Sequence, residues 1–95
     1  MPSFLVSATP HFERLLRALI KRNPEVKGIY VRAIGILETD PYNQTHHYAI
    51  KKLIDIPQGE GRWRLSLGRL RFRYDIKDRG VSFHYCGLRR EDTYA

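Results

Sequence analysis

Five arginines stand between residues 62 and 73, with no acidic residue among them. Arg62, Arg64 and Ser66 alternate with Trp63, Leu65 and Leu67. After Gly68, Arg69, Arg71, Arg73 and Asp75 alternate with Leu70, Phe72, Tyr74 and Ile76. A period of two is that of a half-buried strand, so the spacing predicts a hairpin with one apolar face and one guanidinium face. Side chains at i and i+2 lie roughly 7 Å apart on a face, and neighbouring strands about 4.8 Å apart, so the like charges crowd one another. Acids of the same chain (Asp75 is one), water or a polyanion offset that repulsion. A guanidinium is always charged and grips phosphate or carboxylate with a planar fork, which suits it to phosphate recognition. The same alternation also produces an ordinary solvated face. Five arginines on one hairpin favour binding over that reading.

Proton-transfer candidates lie next to this face. Val81, Phe83 and Tyr85 alternate with Ser82, His84 and Cys86, a third strand that puts His84 and Cys86 on the arginine side. Positive charge there favours the neutral imidazole, a base; a plain surface histidine is the other reading. Arg89 and Arg90 follow the strand, and Arg89 emerges at the end of the sheet near the polar face. Tyr94 either folds back there, to stack or move a proton, or frays as terminal residues do. His46 and His47 are adjacent but lack further ligands at metal spacing, so neither a metal site nor a cofactor is expected. His11 reads as structural and Cys86 as an inert thiol. Neither a phosphate-loop nor a dinucleotide-binding motif is present.

The elements that position these groups are read from periodicity and punctuation. Residues 3–8 form a short apolar strand. Thr9-Pro10 is a helix start, with Thr9 as N-cap and proline in the first turn. Phe12, Leu15, Leu16, Leu19 and Ile20 make one apolar stripe, opposite Arg14, Arg17, Lys21 and Arg22. Asn23-Pro24 ends that helix and begins a second, whose stripe is Val26, Ile29, Tyr30, Ala33, Ile34 and Leu37. Asp40-Pro41-Tyr42-Asn43 ends the second helix. Residues 43–61 show no clear period and are read as a long ordered connection. The order is β-α-α-β-β-β: a single α+β domain over residues 1–95, with a helical hairpin packed on a mainly antiparallel four-stranded sheet.

Composition narrows the class. The 95 residues carry 17 Lys+Arg and 10 Asp+Glu, a formal charge of +7. Residues 1–50 hold six basic and four acidic side chains and residues 51–95 hold eleven and six, so the excess sits in the second half. A hydrophobic fraction of 42% excludes intrinsic disorder. No apolar run approaches the roughly 20 residues of a membrane span. The first residues lack the basic segment of a secretory signal, and a single cysteine allows no internal disulfide, so a reducing cytoplasm is expected.

Taken together, several segments resemble the RelE/ParE toxin superfamily of toxin–antitoxin systems. They are Phe12-Glu13-Arg14 with Leu15-Leu16, Lys21-Arg22-Asn23-Pro24, Ile36-Leu37 before Asp40-Pro41-Tyr42, and Lys52-Leu53. The hairpin from Gly61 to Ile76 and the closing Gly87-Leu88-Arg89-Arg90-Glu91-Asp92-Thr93-Tyr94 carry the resemblance furthest. It implies a RelE-like fold and a ribosome-dependent mRNA endonuclease that inhibits translation. The 2′-hydroxyl attacks the adjacent phosphate without metal or cofactor. It implies Arg64, Arg71, Arg89 and Tyr94 as catalytic groups: Arg64 on phosphate charge, Arg71 on the transition state, Arg89 near the leaving group, and Tyr94 as base or stacking group. Lys52, Arg62, Arg69, Arg73 and Arg90 are the further basic residues expected to bind RNA, and His84, placed by alternation, is a possible acid or base. The implied partners are a small acidic antitoxin, the ribosome and mRNA. Ser66 stands where some members place a lysine, and Leu88 where many place a histidine. The superfamily also contains DNA gyrase poisons, the alternative activity, and a non-catalytic basic RNA- or protein-binding module is a third reading.

Overall fold

The Thr9 hydroxyl accepts the Phe12 N–H at 3.1 Å, and helix α1 (Pro10–Arg22) runs from that cap to Asn23. Lys21 and Arg22 close it, facing the negative end of its dipole. Helix α2 (Val26–Thr39) follows directly and ends at Asp40, whose N–H bonds the Ile36 carbonyl at 2.8 Å. The computed structural model describes residues 3–89. Around the two helices it places strands β1 (Leu5–Ala8), β2 (Ala49–Lys52), β3 (Trp63–Leu67), β4 (Leu70–Lys77) and β5 (Gly80–Leu88).

The strands form one mixed sheet of order β1-β5-β4-β3-β2. Strands β2 to β5 pair antiparallel with their neighbours, and β1 joins β5 in parallel. The expected four-stranded sheet is therefore corrected to five strands. The added strand, β2, lies within the segment read as a connection. It is a four-residue edge strand in which Ile50 is half-buried and its three neighbours are exposed, so its burial leaves no periodic apolar signal. Its two lysines suit an edge, where charge discourages pairing with another sheet.

Both helices pack on one face of the sheet. Phe12, Leu16, Val26, Ala33 and Leu37 meet Leu65, Phe72, Tyr74, Val81, Phe83 and Cys86 in one core. Phe12 is completely buried at its centre, stacked on Phe83 at 4.7 Å between ring centroids and tilted against Phe72 and Tyr30. Burying such a ring contributes roughly 2–3 kcal/mol, and the aromatic geometry adds to it. The buried Tyr74 hydroxyl donates to the Pro41 carbonyl at 2.7 Å, tying β4 to the end of α2.

Two buried carboxylates organise the loops. Asp40 accepts the Gln44 N–H at 2.7 Å, and the Thr45 N–H and hydroxyl at 3.1 and 2.6 Å. Asp75 on β4 accepts the Gly59 and Gly61 N–H groups on Oδ2 at 2.7 and 3.1 Å, and the Arg62 N–H on Oδ1 at 2.9 Å. Burial pushes both carboxyls up, but the hydrogen bonds to the ionised forms outweigh it and hold both below the ordinary range. The Asp75 cluster seats Gly61 on β4. A Cβ at Gly61 would lie 2.7 Å from the Arg73 Cβ, and its φ is +85°, so only glycine fits there.

Candidate nucleic-acid interface

The face of the sheet opposite the helices carries the basic residues, and its rows follow from strand register. Lys51 pairs with Arg64, Arg64 with Arg73, and Arg73 with Tyr85, a row crossing β2, β3, β4 and β5. The next row is Ala49, Ser66, Arg71 and Gly87. Arg64 and Arg73 thus lie directly opposite each other, a like-charge pair that is destabilising in the absence of an anion. The Nε of Arg64 is buried and has no hydrogen-bond partner among the described residues. Arg73 Nε donates to the Gly61 carbonyl at 3.1 Å, and an Arg71 Nη donates to the Gly68 and Leu70 carbonyls, each at 3.0 Å. These bonds hold two of the guanidinium groups against the backbone.

The other expected site residues are distributed differently. Lys52 has Trp63 as its register partner, which puts it on the helix side of the sheet, and its ammonium lies 5.6 Å from the Trp63 ring centroid. A shift of one residue along a strand changes the face. Arg62 stands beyond the end of β3, its Nε bonded to the Ile56 carbonyl at 2.9 Å, so it braces the 53–61 loop. Arg69 is an exposed residue of the tight β3–β4 turn. Arg89 reaches that turn, its N–H bonding the Arg69 carbonyl at 2.6 Å. Arg90 and Tyr94 lie outside the described residues. The structure therefore brings Arg64, Arg71 and Arg73 together, and sets Arg69 and Arg89 side by side at the end of the sheet.

The third strand departs from strict alternation. Arg73 pairs with Tyr85 but Tyr74 pairs with Phe83, so His84 is an extra residue, a β-bulge. The bulge reverses the faces beyond it. Cys86, expected on the arginine face, is 2% exposed in the core, and Tyr85, expected in the core, is 40% exposed on the arginine face. The Tyr85 ring lies across Gly87, where any Cβ would collide with its hydroxyl. Tyr85 and Lys51 are the two face residues that alternation and periodicity miss.

Burial pushes the Cys86 thiol up to about 12, so it is not a nucleophile at neutral pH. The folded protein is expected to resist a thiol-specific chromogenic reagent at pH 7 and to react stoichiometrically once unfolded in urea. Rapid labelling of the folded chain would contradict the reversed register.

His84 is held by one carboxylate and one hydroxyl. Its Nε2 lies 3.2 Å from Asp75 Oδ2 and 3.1 Å from Ser82 Oγ. Beside it, the start of α1, the loop at Gly59-Glu60 and the bulge enclose a cleft of about 460 Å³ that Arg73 also lines. Among the described residues no group of three or more His, Cys, Asp or Glu side chains is arranged to hold a metal ion. No helix among them is long and apolar enough to cross a membrane. No family model, no curated protein and no solved structure matches the chain.

Proposed function

We propose that this chain is a RelE-type toxin, a ribosome-dependent mRNA endonuclease held in check by a small acidic antitoxin. The observation that carries the reading is the row Lys51-Arg64-Arg73 beside Arg71, on the sheet face that the helices leave open. In the row Lys51, Arg64 and Arg73, the Arg64 Nε is buried without a hydrogen-bond partner among the described residues, and an anion would satisfy it. A phosphodiester supplies it, and charge that grows on the phosphate during cleavage would meet donors already in place. The fold supports the reading in general form: two helices back one face of a sheet, and the arginines lie on the face that no helix covers. The ribosome would present the RNA in a defined conformation, which suits a catalyst with a shallow site of its own.

Induced expression in a bacterial host is expected to arrest growth and to leave discrete cuts inside translated mRNA, mapped by primer extension. Co-expression of a short acidic protein encoded beside it should restore growth. Growth arrest with intact mRNA and a loss of DNA supercoiling would overturn this reading in favour of a gyrase poison. Binding to RNA without toxicity would overturn it in favour of a basic module.

A further inference from the structure

His84 differs from the other histidines in having a built environment. Asp75 holds it through Oδ2, and the same oxygen accepts the Gly59 and Gly61 N–H groups, so the carboxylate is fixed and ionised. An ionised carboxylate accepts, so the Nε2 of a neutral His84 must carry the proton, shared between Asp75 and Ser82 Oγ. That leaves the lone pair on Nδ1, which has no hydrogen-bond partner among the described residues. A carboxylate that fixes the tautomer of an imidazole and stabilises the imidazolium is the arrangement of a general base. His84 also lines the 460 Å³ cleft, together with Arg73, Tyr85, His11 and Glu60. Arg73 is fixed through Nε by the Gly61 carbonyl, and its terminal nitrogens have no partner among the described residues.

We propose that His84 is the general base of RNA cleavage, that Asp75 is its positioning residue, and that the cleft beside the bulge seats the attacking nucleotide. The inference rests on the ribonuclease reading above. His84 Nδ1 takes the proton of the 2′-hydroxyl. The 2′-oxygen bonds to phosphorus and the P–O5′ bond breaks. The products are a 2′,3′-cyclic phosphate and a 5′-hydroxyl whose oxygen takes its proton from water. Arg73 holds the non-bridging oxygens, and Tyr85 offers a ring at the cleft edge on which a base stacks. The bulge is the device that builds the site. It turns Tyr85 to this face and leaves His84 opposite no residue of β4.

The test is single-turnover cleavage of mRNA on programmed ribosomes between pH 5 and 8. Groups near enough to shape the profile are Asp75 and Arg73 from β4, Tyr85 on the same strand, His11 at the start of α1 and Glu60 from the loop. The wild-type rate should rise with pH across this range and then level off, as a base that works only in its neutral form requires. His11→Asn should keep that rise. His84→Asn should lower the plateau by about 10²–10⁴-fold and abolish the rise, in a variant that circular dichroism shows to be folded at the assay temperature. A flat wild-type profile, or a His84→Asn variant that keeps the wild-type rate or the rise, overturns the role of His84. In that case Arg71→Ala still losing activity leaves the ribonuclease reading standing. A wild-type chain that cuts nothing overturns both.

Discussion

Asp75→Ala is expected to lower the unfolding free energy by about 3 kcal/mol, measured by urea denaturation at pH 7. The carboxylate is 6% exposed and accepts three backbone N–H groups from Gly59, Gly61 and Arg62. Its removal leaves donors in a partly buried loop with no acceptor, and each such orphan costs roughly 1–3 kcal/mol. The loop rehydrates in part, which keeps the total below the sum. Asp75→Asn retains one acceptor oxygen and should cost about half as much. The pH dependence has a definite sign. Asp75 is held below the ordinary carboxylate range in the folded chain, so its contribution is complete above the unfolded value of about 4 and fades as the pH falls through the folded value. Asp40 is shifted in the same direction. The wild type should therefore lose stability on the acid side, and Asp75→Ala should lose less of it over the same range. An Asp75→Ala variant as stable as the wild type would show that the 53–61 loop is not latched through this carboxylate.

The second large effect concerns the arginine face. Arg71→Ala is expected to reduce mRNA cleavage by about 10²–10³-fold, the usual loss when one preorganised charge-stabilising donor is removed. Arg71 lies one strand step from Arg73 on the same face and holds its guanidinium against the Gly68 and Leu70 carbonyls. Its side chain is outside the aromatic core, so the truncation should leave the fold intact. Arg64→Ala should act in the same direction. It also relieves the like-charge pairing with Arg73, so that variant should be no less stable than the wild type while cutting less. Loss of activity with retained stability is the signature of charge placed for a ligand rather than for the fold.

Both helices were legible because each signal was local. Thr9 caps where its hydroxyl and the following proline suggest, and Phe12 and Leu16 bury the stripe they define. The β3–β4 hairpin was legible because Leu65, Phe72 and Tyr74 alternate cleanly with arginine. Strand β2 was not, since Ala49-Ile50-Lys51-Lys52 turns one half-buried side chain inward and is recognisable only once β3 is beside it. The faces of Tyr85 and Cys86 were not, because a bulge adds one residue without altering the apolar-polar pattern. Asp75 showed itself as an acid on a basic face, but its three N–H partners come from a loop 13 to 16 residues earlier in the chain. The candidate site was thus half legible: its arginines came from alternation, whereas Lys51, Tyr85 and the Asp75–His84 contact came from pairing between strands.

The central claim is that the arginine face handles the scissile phosphate. It is tested most directly by primer extension on mRNA translated in the presence of wild-type protein and of Arg71→Ala, with both proteins shown by thermal melting to be folded. The account predicts strong cuts within the reading frame for the wild type and a reduction of about 10²–10³-fold for the variant. Equal cutting by the two proteins, or no cutting by the wild type, would contradict it.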